Sequence, residues 1–236
     1  DLNGCSASNS ITQIVLANPN VNLTISNTLI CSGKTSTLLA NGASNYTWSS
    51  NQNTQQIVVS PSSTTTYSVI GADNNGCSST NSITLFVIIS PSVNISSSSS
   101  SICIGQSATL TANSASNYTW NTNQTTSQIV VNPSTSTSYS VLGVDNNNCS
   151  NTSSINITVL NPSINISASS PTLCSGKQAT LTATGVNTYT WSTNQIGSQI
   201  TLVPLTSQTY SVVGKDNFGC SASASITPLL AQVPTL

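Results

Sequence analysis

The sequence contains no histidine, no arginine and no glutamate, and charged residues make up only 3% of its 236 positions. Charged residues are roughly a quarter of an ordinary globular protein. Without histidine and glutamate, the usual acid–base pairs and catalytic triads cannot be assembled, so the composition argues against an enzyme. The net charge of -1 leaves no clustered positive charge. Binding to nucleic acid or to an anionic lipid surface is therefore not expected.

Long hydrophobic runs are also missing. The longest clean apolar run is Leu85–Ile89, which is far shorter than the ~20 residues of a membrane-spanning helix. Membrane insertion of this segment is therefore not expected. Because there is also no C-x-x-C pair, no metal site and no cofactor are predicted. The apolar residues, 36% of the chain, occur in short alternating runs that suit several small cores.

Internal repetition is the strongest positive signal in the sequence. Tryptophan, tyrosine and cysteine recur at intervals of 71 or 72 residues. The recurring positions are Trp48, Trp120 and Trp191; Tyr67, Tyr139 and Tyr210; Cys31, Cys103 and Cys174; and Cys5, Cys77, Cys149 and Cys220. Such a period is typical of tandem modules. It predicts three of them, at 20–90, 91–161 and 162–236.

Residues 1–19 repeat the end of the third module, since Asp1–Ser8 matches Asp216–Ser223. They are interpreted as the final hairpin or strand of a preceding module. The alternative is a donor strand that inserts into a neighbouring subunit.

Each module has the pattern of a small β-sandwich. In the second module, apolar and polar residues alternate with a period of two, which indicates strands with one buried face. The predicted strands are A (93–96), B (108–112), C (118–120), E (129–131), F (139–143) and G (155–159). The predicted fold is all-β: three tandem immunoglobulin-like β-sandwich modules plus a leading strand from a preceding module.

The recurring aromatic residues fit this fold. Trp48, Trp120 and Trp191 lie on strand C, and Tyr67, Tyr139 and Tyr210 open strand F, where immunoglobulin-like sandwiches place core aromatics. Tyrosine also stands two residues before each tryptophan. If these pairs were exposed, they would form a sugar-binding platform. Their position on strand C favours a core role.

The motifs I-C-x-G-x-x-x-T-L-x-A, Y-T-W, T-Y-S-V and D-x-x-G-C-S recur along the chain. They resemble the immunoglobulin-like and PKD-like repeats of very large bacterial cell-surface proteins, which include adhesin stalks and extracellular filaments. The resemblance implies a spacer, stalk or self-assembling role. Two departures stand out: Asn148 replaces the turn glycine of the last motif, and Pro228 interrupts the final strand.

Seven cysteines at regular positions predict disulfides and an extracellular or cell-surface location. Pairing within modules would join cysteines 46 residues apart and leave only Cys5 over. The two cysteines of one module, however, are expected at opposite ends of a strand ~23 Å long, whereas a disulfide tolerates only ~7 Å between Cα atoms.

The distance limit therefore favours pairing between modules. The pairs would be Cys31–Cys149 and Cys103–Cys220. Cys5, Cys77 and Cys174 would then find partners outside the chain. Such bonds would tie adjacent modules together and restrict hinge motion.

The sequence also contains many N-x-S/T sequons. The candidate glycosylation sites are Asn22, Asn45, Asn94, Asn117, Asn123, Asn148, Asn151, Asn156 and Asn165. A glycan coat would keep a nearly uncharged protein soluble.

Together these features predict an extracellular structural protein: a stiff rod or filament of immunoglobulin-like repeats, as a surface fibre or adhesin stalk. The predicted partners are copies of itself and surface glycans. The alternative function is a glycan- or surface-binding adhesin module, which predicts exposed aromatic residues in a groove.

Overall fold

The computed structural model describes residues 8–170 and 172–231. Within these ranges the secondary structure consists of β-strands and turns, with no helix. The predicted fold class, tandem immunoglobulin-like β-sandwich modules, is confirmed.

Seven strands make up the first module. They are β1 (Asn22–Ile25), β2 (Leu29–Cys31), β3 (Ser36–Asn41), β4 (Asn45–Trp48), β5 (Gln56–Val59), β6 (Thr65–Ala72) and β7 (Ser78–Ile88). They form two sheets, with strand orders β1-β3-β5 and β2-β7-β6-β4. Alternate residues of β3 to β6 are buried, as a strand with one face on the core requires.

The second and third modules repeat this order. The second contains β8 (Asn94–Ser97), β9 (Ser101–Cys103), β10 (Ala108–Asn113), β11 (Asn117–Trp120), β12 (Gln128–Val131), β13 (Thr137–Val144) and β14 (Ser150–Leu160). The third contains β15 (Asn165–Ala168), β16 (Thr172–Cys174), β17 (Ala179–Thr184), β18 (Thr188–Trp191), β19 (Gln199–Leu202), β20 (Tyr210–Lys215), β21 (Ser221–Ile226) and β22 (Leu229–Ala231). Pro228 lies between β21 and β22, so the last strand is divided where the sequence placed a break.

The predicted strand A is two strands. Its first part, β1, pairs antiparallel with β3, while β2 crosses to the other sheet and pairs parallel with β7. Cys31 is the last residue of β2 and lies opposite Ile88. The sequence-based placement of Cys31 in the turn before strand B was therefore wrong by a short strand, which we call A′. Strand A′ forms because the end of β7 offers it a free edge.

Each module has its own core. Three clusters of buried side chains lie within residues 21–85, 93–157 and 164–212. The module boundaries at 90/91 and 161/162 stay a prediction. The first compact unit comprises the chain up to Ser92 together with Gly143–Asn151, and the second comprises Val93–Leu142 and the chain from Thr152 onward.

Residues 8–20 form no strand. Several of their apolar side chains are exposed, among them Ile11 and Val15 at 95% and 88%. The remainder of the predicted leading hairpin, residues 1–7, lies outside the described residues. Its assignment to a preceding module stays a prediction.

Candidate functional site: the disulfide-linked joints

Two disulfides connect neighbouring modules. Cys31 is bonded to Cys149 with a Cα–Cα separation of 5.5 Å, and Cys103 is bonded to Cys220 with a separation of 5.3 Å. Both separations lie in the ordinary range for a disulfide. Each bond joins the A′ strand of one module to the F–G turn of the next. We call each such pair of elements a joint.

The A′ half of a joint is a tight turn after the cysteine. Lys34 N–H donates to the carbonyl of Cys31 at 3.0 Å, and Gln106 N–H donates to the carbonyl of Cys103 at 2.9 Å. Gly33 within the turn has a φ of 76°, which side chains resist. The cysteine is thereby fixed at the end of a strand and at the start of a rigid turn.

The F–G half is a turn organised by an aspartate. One carboxylate oxygen of Asp145 accepts hydrogen bonds from the backbone N–H of Asn147 at 2.9 Å and of Cys149 at 2.8 Å. Asn148, in the glycine position, has a φ of 61°, an angle that asparagine tolerates better than most residues. Asp216 makes the same two bonds to Phe218 and Cys220, each at 2.9 Å. The carboxylate therefore positions the cysteine that follows it.

Around the first joint, Asn151 Nδ2 donates to the carbonyl of Pro91 at 3.1 Å. A surface groove beside the joint is lined by Ser32, Gly33, Lys34, Ile89, Ser90, Ser150 and Asn151. No aromatic side chain is among these residues.

Two cysteines carry no disulfide within the part of the chain that is described. Cys77 is half-buried and Cys174 is exposed. Cys5 lies outside the described residues, so the sequence-based expectation for it stays a prediction.

The recurring aromatics are buried. Trp48, Trp120 and Trp191 are 1 to 2% exposed. Tyr67, Tyr139 and Tyr210 also belong to the buried core, and burial raises the pKa of the Tyr67 and Tyr139 phenols above the usual value.

The strand-C tyrosines have a role that the sequence did not reveal. Tyr46 is buried, and its hydroxyl donates to the carbonyl of Ala43 at 2.9 Å while accepting from the N–H of the same residue at 3.0 Å. Tyr118 and Tyr189 close the same three-residue loop in the other modules. These tyrosines therefore shape the turn into strand C and present no sugar-binding platform. Of the aromatics, Phe86 and Phe218 are exposed, at 54% and 72%, on different modules.

The candidate glycosylation sites are all at the surface. The exposed asparagines are Asn22, Asn45, Asn94, Asn117, Asn123, Asn148, Asn151, Asn156 and Asn165. Their accessibility is compatible with glycan attachment, which stays a prediction.

A search of the described residues for groups of three or more histidine, cysteine, aspartate or glutamate side chains that could hold a metal ion finds none. The same residues include no helix that is long and apolar enough to cross a membrane.

No protein-family model and no curated protein matches the sequence. Among solved structures, the chain is similar to the three N-terminal domains of the Highly Immunogenic Outer Capsid protein (Hoc) of bacteriophage RB49, at 13% identity and a TM-score of 0.34, over 92% of this chain and 100% of that one. It is similar to a 1.5-MDa bacterial ice-binding adhesin at 14% identity and a TM-score of 0.29, over 92% and 99% of the two chains. It is also similar to the N-terminal eight Ig domains of Down Syndrome Cell Adhesion Molecule at 10% identity and a TM-score of 0.31, over 92% and 41%. These likenesses are too low to carry a functional argument.

Proposed function

We propose that the chain is an extracellular structural protein whose immunoglobulin-like modules, at 20–90, 91–161 and 162–236, are tied into a stiff rod or filament. The observation that carries the proposal is the pair of disulfides between modules, Cys31–Cys149 and Cys103–Cys220. A covalent bond beside a short linker gives each junction two connections. A junction with two connections bends less freely than one with a single linker.

Disulfides also support the location. They persist in oxidising compartments, such as the cell surface and the extracellular space, and are rare in reducing cytosol. A surface of serine, threonine and asparagine with 3% charged residues suits the same setting, where glycans on exposed asparagines would add solubility. The resemblance to repeats of bacterial surface proteins points in the same direction, as a surface fibre or adhesin stalk.

The alternative, a glycan- or surface-binding adhesin module, needs an accessible aromatic groove. The strand-C tyrosines and tryptophans are buried. The groove at the first joint contains no aromatic residue. The observed contacts therefore favour the structural role.

Stiffness can be tested by removing one joint. We expect Cys31→Ser combined with Cys149→Ser to broaden the range of module arrangements, because the linker at residues 90–92 would then be the remaining covalent connection at that junction. Small-angle X-ray scattering would show this as a curve that only an ensemble can fit. The wild-type chain should be fitted by one arrangement.

The matched control is Cys77→Ser combined with Cys174→Ser, which removes two thiols and leaves both disulfides in place. It should scatter like the wild-type protein. If the joint variant also scatters like the wild type, the disulfides do not stiffen the chain and the rod proposal fails.

A further inference from the structure

We infer that Cys174 and Cys77 are the two open halves of one further joint, and that a second copy of this chain closes it. Cys174 of one copy would form a disulfide with Cys77 of the next. The inference rests on the proposed function and names the partner of the same kind of site.

The A′ half at Cys174 is already built. In β16, Cys174 pairs in parallel with Ala231, as Cys31 pairs with Ile88 in β2. The turn that follows is closed by Lys177 N–H, which donates to the carbonyl of Cys174 at 3.1 Å. The corresponding bonds at Cys31 and Cys103 are 3.0 and 2.9 Å. Cys174 therefore occupies the same local structure as the two A′ cysteines that carry disulfides.

The F–G half at Cys77 is built as well. A carboxylate oxygen of Asp73 accepts from Asn75 N–H at 2.8 Å and from Cys77 N–H at 2.9 Å. These are the bonds that Asp145 and Asp216 make in the turns that carry Cys149 and Cys220. The turn at Cys77 needs no disulfide to reach this conformation.

Burial distinguishes the open halves from the closed ones. Cys149 and Cys220 are each 1% exposed in their joints. Cys77, in the equivalent position, is only half-buried. Cys174 is exposed, whereas Cys31 and Cys103 are half-buried. The surface that covers these positions in a closed joint is therefore missing from both open halves.

The pairing rule of the chain identifies what would cover them. Both observed joints bond the A′ cysteine of one module to the F–G cysteine of the next. Cys174 is an A′ cysteine in the third module, and Cys77 is an F–G cysteine in the first. Joining the third module of one copy to the first of another repeats the rule. A net charge of -1 per chain offers little repulsion to this contact.

Closing the joint requires an oxidant, which we take to be a small-molecule disulfide. The thiolate of Cys174 attacks one sulfur of the reagent, which forms a mixed disulfide and releases one thiolate. The Cys77 thiolate of the second copy then attacks the sulfur of Cys174, which releases the second thiolate. Two protein thiols lose two electrons and two protons in total, and one reagent disulfide is reduced to two thiols.

The test uses two complementary variants of the full chain. Both carry Cys5→Ser. One also carries Cys77→Ser and keeps Cys174, and the other carries Cys174→Ser and keeps Cys77. The two are mixed in equal amounts with oxidised glutathione, and products are followed on non-reducing gels. We expect a disulfide-linked heterodimer of twice the 24.2 kDa chain, formed about tenfold faster than either homodimer, since docking raises the effective concentration of the correct thiols.

The chain that carries only Cys5→Ser keeps both open halves, so it should form a ladder of multimers. Heterodimer formation no faster than homodimer formation would overturn the inference, since it would indicate unselective thiol oxidation. Absence of any heterodimer would overturn it as well. Mass spectrometry of the Cys31–Cys149 peptide in the same sample separates the two claims: if that bond is present while the heterodimer is not, the rod proposal survives and the second-copy partner does not.

Discussion

Pulling the oxidised chain between residues 31 and 220 is expected to straighten only 46 residues, although 189 residues separate these points along the backbone. The reason is that the two disulfides interleave. The shortest covalent path runs from Cys31 to Cys149, back along the chain to Cys103, and across to Cys220. The limit corresponds to about 160 Å of extended chain, against about 650 Å for the full backbone.

Single-molecule force spectroscopy, with handles attached beside these two residues, would measure the limit. Loss of the Cys31–Cys149 bond should raise it to 72 residues, and loss of the Cys103–Cys220 bond should raise it to 71. Loss of both should release all 189. An oxidised chain that extends as far as the reduced one would show that the two bonds do not interleave.

Trp120→Ala is expected to destabilise the second module by about 3–5 kcal/mol, because it removes a large buried side chain and leaves a cavity. Trp120 is 1% exposed, and its indole N–H donates to the carbonyl of Thr126 at 2.9 Å, so a buried hydrogen bond is lost as well. For a domain of this size, such a loss corresponds to about 15–30 °C in Tm.

Calorimetry should therefore show one transition at clearly lower temperature, with the transitions of the other two modules little changed. Val130→Ala, at a position 63% exposed in the same module, is the matched control and should change the free energy of unfolding by less than about 0.5 kcal/mol. If Trp120→Ala lowers all three transitions equally, the modules do not have independent cores.

The period of tryptophan and tyrosine made the β-sandwich fold predictable. Residues that return every 71 or 72 positions must meet the same environment each time, and alternation along β10 and β12 showed which side chains would be inward. The turn chemistry was readable too, since Gly76, Asn148 and Gly219 all have positive φ.

Strand A′ could not be predicted from local pattern. It has only three residues, Leu29–Cys31, and its hydrogen bonds go to β7, more than fifty residues away. The first half of β7 was also hard to see, because Ser78–Ser82 contains no apolar residue. That half is a strand because it pairs with β6, where Ser79 lies opposite Gly71 and Ser82 opposite Ser68.

The joints were partly predictable. Strand length and disulfide geometry separated the two pairing schemes in principle, whereas tidy counting pointed to the scheme that the structure does not contain. The aspartate that holds each F–G cysteine was read only as a turn residue. Its contact with the cysteine N–H depends on side-chain geometry that the sequence does not show.

The measurement that tests the joints most directly is peptide mapping of the unreduced chain. The thiols are first blocked and the protein is denatured. A protease that cuts before aspartate then cleaves at Asp73, Asp145 and Asp216, which gives four peptides.

Bonds between modules predict two separate disulfide-linked products. Residues 1–72 would be joined to 145–215, and residues 73–144 to 216–236. Bonds within modules would instead link all four peptides into one product, and that single product would contradict the joints on which the rod depends.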